Sequence, residues 1–260
     1  MQHEDRKPLN LDRIIVGEGI YGFLIETSRG LNAVAEVFKV LSELNLILVH
    51  MAVPEPVSKG TKGSFMLFLD FTKSKMTPFE AKNALEKRVS GIKIDIAEPV
   101  FSGVTVDSFH FPLIFLNERA VIFRETTLKA WLVNMRERFG TGGEAFLFHE
   151  GYIIGNSVYD ACREMCGKEC DIWTLFGAVL FASGIAENVS TDIDYERIIV
   201  KVWNNIECSL AKTKNLNKPF SHWLRGILAG FGSRYFGRRV SAVEVKCIAK
   251  GDPYCEFIIT

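Results

Sequence analysis

The chain has 260 residues, and its 31 Lys and Arg balance 31 Asp and Glu. A neutral chain has no field with which to gather nucleic acid or an anionic membrane, and neutrality eases self-association. The expected partners are therefore a second copy, as a homodimer, and a small molecule, with no direct nucleic acid and no membrane. The length suits two domains of about 100–150 residues.

Residues 1–11 are polar and carry no apolar leader, and the longest nearly apolar run, 172–186, is too short to cross a bilayer. A cytoplasmic location follows. There, six cysteines read as free thiols or metal ligands rather than disulfides.

Residues 14–27 are apolar and read as a strand. Val34, Val37, Phe38, Leu41 and Leu44 then recur at helical spacing, behind Ser28 as cap. A second strand covers 46–53, a loop 54–62, and a third strand 64–71. Thr77 and Pro78 open a helix to about residue 89, with Glu80 closing a capping box. Ile92, Ile94 and Ile96 alternate along a fourth strand. The order βαββαβ is the ferredoxin-like pattern. Gly17, Gly19 and Gly22 match the spacing of a dinucleotide fingerprint. That motif needs a helix next, whereas residues 23–27 continue as strand, so the glycines read as bulges or a lightened strand.

Residues 12–102 resemble an ACT domain, a small regulatory module that often senses amino acids. The resemblance rests on element order and on Arg29, Gly30 and Leu31, at the turn from the first strand into the first helix. A Gly there lets backbone amides approach a ligand at a helix N-terminus. It implies a regulatory domain over 1–103; a module that only dimerises fits the same residues.

The second domain, 104–260, opens with a β-like stretch, 109–123, that turns at Asn117 and Glu118. A helix over 124–139 carries Leu128, Trp131, Leu132 and Met135 on one face and ends at Gly140. A longer helix, 141–165, shows Ala145, Phe148, Tyr152 and Gly155 along one side and stops near Gly167. Asp171 caps a third helix to 182. Strands 185–193 and 198–203 form a hairpin about Asp194 and Tyr195. Pro219 opens a helix to 236 with Gly226 and Gly230 four apart, stopped by Gly237. A last hairpin, 240–249 and 254–259, turns at Gly251, Asp252 and Pro253. The whole is α+β, a helical layer with an antiparallel sheet following the ferredoxin-like domain.

Two groups of cysteines carry chemistry. Glu244 and Cys247 lie three apart, and Cys247 and Cys255 eight apart across that turn, which can bring both sulfurs to one ion. Zinc accepts thiolate and carboxylate ligands in tetrahedral geometry. The alternative is two small buried residues in paired strands. Cys162, Cys166 and Cys170, with His149 nearby in sequence, form a rival set for zinc, an iron–sulfur cluster or redox sensing. Thiols near a helix end without function are the plainer reading. No nucleophile elbow, His-Glu-x2-His pair or phosphate loop occurs, so no catalytic residues are assigned. The basic runs Lys212 to Lys214 and Arg234 to Arg239 read as solvated faces.

Residues 108–260 resemble the 4-vinyl-reductase domain family, which includes sensor halves of bacterial aromatic-responsive activators and stand-alone archaeal proteins described as predicted hydrocarbon binders. The match lies in Gly226 and Gly230, in Glu244 and Cys247, and in Gly251, Asp252, Cys255 and Phe257. The family places a further Cys where this chain has Ser221, a poor zinc ligand. His222 is adjacent, but one residue along a helix rotates a side chain by about 100°. The site is then three-coordinate plus water, uses His222, or stays empty. The resemblance implies a structural zinc and a neighbouring apolar pocket, drawn here from Phe111, Phe123, Trp131, Phe148, Tyr152 and Phe176, with His110 or Trp131 facing a phenol-like hydroxyl. Each also reads as plain core. The function implied is a non-enzymatic sensor for a small hydrophobic or aromatic molecule, acting by population shift. A redox or metal-cofactor protein built on the Cys162 set, and a dimerising scaffold without ligand, are the alternatives.

Overall fold

The computed structural model describes residues 6–166, 170–194, 197–212 and 218–260. Gly167, Tyr195 and Lys214, named above as helix stop, turn and basic residue, lie outside them. The fold is α+β, in two compact units, Arg6–Ala120 and Val121–Thr260. Among the described residues no helix is long and apolar enough to cross a membrane.

The first unit runs β1 (Ile14–Val16), β2 (Ile20–Arg29), α1 (Leu31–Glu43), β3 (Ile47–Glu55), β4 (Lys59–Asp70), α2 (Pro78–Arg88), β5 (Ile92–Ala97), β6 (Pro99–Phe101), β7 (Val104–Val106), β8 (Leu113–Phe115) and β9 (Glu118–Ala120). Four strands make an antiparallel sheet in the order β3-β4-β2-β5, the arrangement a βαββαβ chain gives when its first and third strands are central. Strand alternation sends Phe23, Ile25, Phe65, Leu67 and Leu69 to one face. There they pack with Val37, Val40 and Leu41 of α1 and with Ala81 and Leu85 of α2. Met66 and Phe68 point to the other face, where Ile15, Ile20 and Ala97 cover them. Burial on both faces explains why β4 is nearly all apolar from Phe65 to Leu69.

Several local expectations need correcting. The run 14–27 is two strands parted by a turn in which Gly19 has φ +67°. A Cβ on Gly22 would lie 2.4 Å from Met66 Cε, so that glycine serves sheet packing. Ser28 lies inside β2 and does not cap α1; the cap position is Gly30, at φ +68° with no side-chain bond. On α2 the capping box is complete, with Thr77 Oγ1 accepting from Glu80 N and Glu80 accepting from Thr77 N at 2.7 Å. The unit does not end at residue 103. β7 pairs with both β1 and β6, so the chain stays within the first unit through the β8–β9 hairpin. Leu116 and Asn117, at φ 53° and 62°, turn that hairpin.

The second unit runs α3 (Glu125–Lys129), a π turn (Ala130–Asn134), α4 (Met135–Phe139), α5 (Thr141–Cys166), α6 (Ile172–Ala182), β10 (Asn188–Ile193), β11 (Ile198–Trp203), α7 (Ile206–Ser209), α8 (His222–Phe236), β12 (Ala242–Lys246) and β13 (Cys255–Ile259). The sheet order is β10-β11-β13-β12, all antiparallel. Asp171 caps α6 by accepting from Thr174 N at 3.2 Å. α8 begins at His222, not at Pro219, and Ser221 is its cap residue.

α5 and α8 pack backbone to backbone. A Cβ added to Gly155 would sit 2.1 Å from Ile227 O, and one added to Gly226 would sit 2.1 Å from Phe148 O. Gly151 and Gly230 are equally closed, against Trp223 O and Tyr152 O. Only glycine permits this approach, and it fixes where the first turn of α8 meets the sheet.

Candidate metal centre and the cavity beside it

β12 alternates, and Glu244 is one of its inward residues. Cys247 follows, then a tight 3-10 turn (Ile248–Lys250) and Gly251 at φ +99°. Asp252 holds this turn by accepting from Cys247 N at 2.8 Å. β13 then starts with Cys255, which shares an inward face with Phe257 and Ile259. The fourth member comes from elsewhere. Cys208 on α7 brings its sulfur to 3.4 Å from Cys247 Sγ and 3.8 Å from Glu244 Oε1. The ligand atoms of Cys208, Glu244, Cys247 and Cys255 all lie within 4.8 Å of one another, and all four residues are buried.

α7 is only four residues long, so its position depends on its anchors. Asn205 caps it, with Oδ1 accepting from Glu207 N at 3.2 Å, while Nδ2 donates to Ser221 Oγ at 2.8 Å. Glu207 is fully buried. Its carboxylate accepts from Trp223 N at 3.0 Å and Leu224 N at 2.9 Å, the open amides of α8, and pairs with Arg136. Burial pushes that carboxyl up, while Arg136 and the two amides pull it down. Arg136 also donates to Phe220 O at 2.6 Å and covers the Phe220 ring at 3.8 Å. Glu207 thus lashes α7 to the start of α8, where Ser221 grips the cluster's carboxylate. Ser221 N donates to Glu244 Oε2 and Ser221 Oγ to Glu244 Oε1, both at 2.8 Å.

Four acidic groups crowd one buried volume and cannot all ionise there without a cation. Burial, then the neighbouring Cys247 charge, push Glu244 up to about 7. Hydrogen bonds from Cys208 and Cys255 hold the Cys247 thiol far below its usual range, and the same bond pushes Cys208 up. A tetrahedral zinc with Zn–S near 2.3 Å separates its sulfurs by about 3.8 Å, close to the spacing of Cys208 and Cys247. Three thiols with one carboxylate are a donor set that fits zinc. Ile248 N lies 3.5 Å from Cys255 Sγ, a donor toward the sulfur that a thiolate uses.

His222 does not join them. Its Nδ1 faces Arg225 Nη2 at 3.2 Å, and its Nε2 faces Glu144 Oε1 at 3.6 Å. Arginine can only donate, so Nδ1 accepts and the proton sits on Nε2. Burial, reinforced by Arg136, holds this imidazole down to about 4. Sequence reasoning missed Cys208, although it was the one cysteine of the six left outside both sets.

An open cavity of about 300 Å³ lies between the first turns of α5 and α8 and β12. Glu144, Lys218, His222 and Arg225 stand around it, with Ser221 and Glu244 on the side of the cluster. The aromatic residues expected to form a pocket do not line it. Phe111 is exposed in the first unit beneath Arg119, and Phe123 is exposed in the second. Trp131 lies 6.3 Å from Trp223, Phe148 lies under Arg225, and Tyr152 under Arg239. Phe176 is fully buried, 4.4 Å from Phe231. His110 is bonded to Asp107 at 2.9 Å.

The rival cysteines do not offer three free thiols. Cys166 and Cys170 are joined as a disulfide, a departure from the free thiols expected. Cys162 is buried, which pushes its thiol up to about 11, away from reactivity. In the first unit, Arg29 is committed to Glu36 at 2.6 and 2.9 Å and to Ser90 O at 2.9 Å, tying β2 to α1. Gly30 is closed by Lys59 N, 2.8 Å from where a Cβ would lie, and Leu31 is exposed.

A curated relative, an uncharacterized protein of Methanocaldococcus jannaschii, is 29% identical over 123 residues, 46% of this chain and 66% of the relative. The chain therefore spans just under two thirds of that relative. Among solved structures, the phenol-responsive sensory domain of the transcription activator PoxR, determined with phenol, is 14% identical at TM-score 0.49, covering 55% of this chain and 76% of that one. A vinyl-4-reductase family protein from Methanocaldococcus jannaschii is 17% identical at TM-score 0.39, covering 56% and 85%. Residues 198–260 match the vinyl-4-reductase domain, and that stretch contains Cys208, Glu244, Cys247 and Cys255, all four members of the buried cluster.

Proposed function

We propose that the second unit is a small-molecule-binding domain held together by a structural zinc on Cys208, Glu244, Cys247 and Cys255. The chain as a whole is then a non-enzymatic, cytoplasmic sensor that works as a homodimer, with the first unit as its ACT-like regulatory or dimerising part. The convergence of three thiols and one carboxylate carries this reading. Four protein ligands would close a zinc's coordination shell, the mark of a structural site and not a catalytic one. The vinyl-4-reductase domain match over the same residues supports a binding role. Ligand binding would act by favouring one arrangement of the domain over another.

Metal analysis of the purified full chain tests the first half. About one zinc per chain is expected, with a fall in Tm on chelation. No bound metal, together with an unchanged Tm in Cys247→Ser/Cys255→Ser, would discard the centre. A thermal-shift screen of small hydrophobic and aromatic compounds tests the second half, and a screen in which nothing stabilises the protein would discard the sensor.

A further inference from the structure

The cavity beside the cluster has an unbalanced charge. Lys218 Nζ pairs with Glu144 at 2.7 Å. His222 is neutral in the tautomer fixed by Arg225, and Glu244 is bonded to Ser221 and turned to the thiols. That leaves the Arg225 guanidinium. Among the described residues its polar partner is His222 Nδ1 at 3.2 Å, and its planar face lies 4.8 Å from the Phe148 ring centre. No described carboxylate is within ion-pair distance of it. A half-buried guanidinium, pinned in orientation by a ring and an imidazole and lacking a counter-charge, is a prepared anion partner.

We propose that this cavity binds a small monocarboxylate. The carboxylate takes the free edge of Arg225 through paired hydrogen bonds, with Lys218 as a second cation at the rim. Its apolar body lies against Val243 and Pro219, which supply the cavity's hydrocarbon wall. The net charge favours one negative charge over two: Lys218 and Glu144 cancel, and Arg225 alone is left over. The planar guanidinium fork favours a carboxylate over a spherical anion. This rests on the reading of the second unit as a small-molecule binder and names the ligand class of that domain.

The test is calorimetric titration of the zinc-treated full chain with benzoate at constant ionic strength, with benzamide as the uncharged isostere. Saturable one-to-one binding of benzoate is expected, with benzamide weaker by about tenfold or more. Arg225→Gln should lose about tenfold or more, and Arg225→Lys, which keeps the charge without the fork, should fall between. Circular dichroism of both variants confirms folding; if Arg225→Gln fails to fold, the Arg225→Lys comparison decides alone. Equal binding of benzoate and benzamide, no saturation, or unchanged affinity in both variants overturns the site. So does an Arg225→Gln that loses zinc but keeps benzoate, because the arginine would then only offset the charge of the metal centre. Zinc retained and a thermal-shift hit found, but no benzoate binding, sinks this cavity and leaves the sensor reading standing.

Discussion

Cys208 Sγ and Ser221 Oγ lie 3.0 Å apart, one on a four-residue helix and the other at the cap of α8. The resemblance places a cysteine at 221. Here the hydroxyl at 221 orients Glu244, and the thiol arrives from thirteen residues upstream. The donor has moved along the chain while its place in space has hardly changed.

Cys208→Ser should therefore weaken zinc by at least about 100-fold, since loss of supporting partners alone costs 10–100-fold. His222→Ala should leave it nearly unchanged. Adding Ser221→Cys to Cys208→Ser should recover much of the loss, because Ser221 Oγ sits 2.8 Å from Glu244 Oε1 and 4.0 Å from Cys255 Sγ. Competition with a chromophoric chelator reads all three. A Cys208→Ser protein with native affinity would remove this residue from the ligand set.

Glu207 should be among the most sensitive positions in the second unit. It is an ionic partner of Arg136 and also the acceptor for two open amides of α8. Glu207→Ala strands a buried guanidinium and should cost about 3–5 kcal/mol in urea unfolding. The apolar pair Glu207→Leu/Arg136→Met removes the stranded charge but not the two orphaned amides. It should stay destabilised by about 1–3 kcal/mol. Full recovery in the double variant would show that the amides find other partners.

The difference between Cys208 and the terminal hairpin shows what sequence can carry. Glu244, Cys247 and Cys255 belong to one hairpin, so strand alternation and a turn at Gly251 are enough to predict their meeting. Cys208 sits on a helix too short to have a period, and its place is set by Asn205 and Glu207 reaching residues fourteen or more positions away. The capping box at Thr77 and the cap at Asp171 are local and could be read; Ser28 was misread because β2 runs on through it. Aromatic content alone could not tell a pocket from a core. Phe176 is packed beneath Phe231, while the cavity that does open is lined by charge.

The crossing of α5 and α8 gives a steric prediction. Gly155→Ala puts a methyl 2.1 Å from the Ile227 carbonyl oxygen, a backbone atom that can move only if α8 moves. It should destabilise by about 1–3 kcal/mol. Through α8 it should also disturb Ser221 and lower zinc affinity. Gly142→Ala, in the first turn of α5 with nothing within 4 Å, should be neutral or gain up to about 1 kcal/mol. Equal Tm values for the two variants would contradict the close approach.

His222 makes stability pH-dependent in a definite window. In the unfolded chain it titrates near its ordinary 6.5, and in the folded protein burial holds it down to about 4. Between these values the unfolded chain carries a proton that the folded one does not, so acidification across the window favours unfolding. Above 6.5 neither state is protonated and the effect vanishes; below 4 both are, and the loss is complete. Glu144 acts lower: burial raises its carboxyl, but the Lys218 hydrogen bond and the His222 charge outweigh that, so its contribution is lost only beneath the ordinary carboxylate range. His222→Gln keeps an acceptor for Arg225 and cannot titrate. Tm measured on both proteins from pH 7 to pH 4, in chelator, lets the contributions they share cancel. The native protein should lose stability faster than the variant from 6.5 down to 4, and a constant gap between the two curves would mean that His222 is protonated as readily in the fold as out of it.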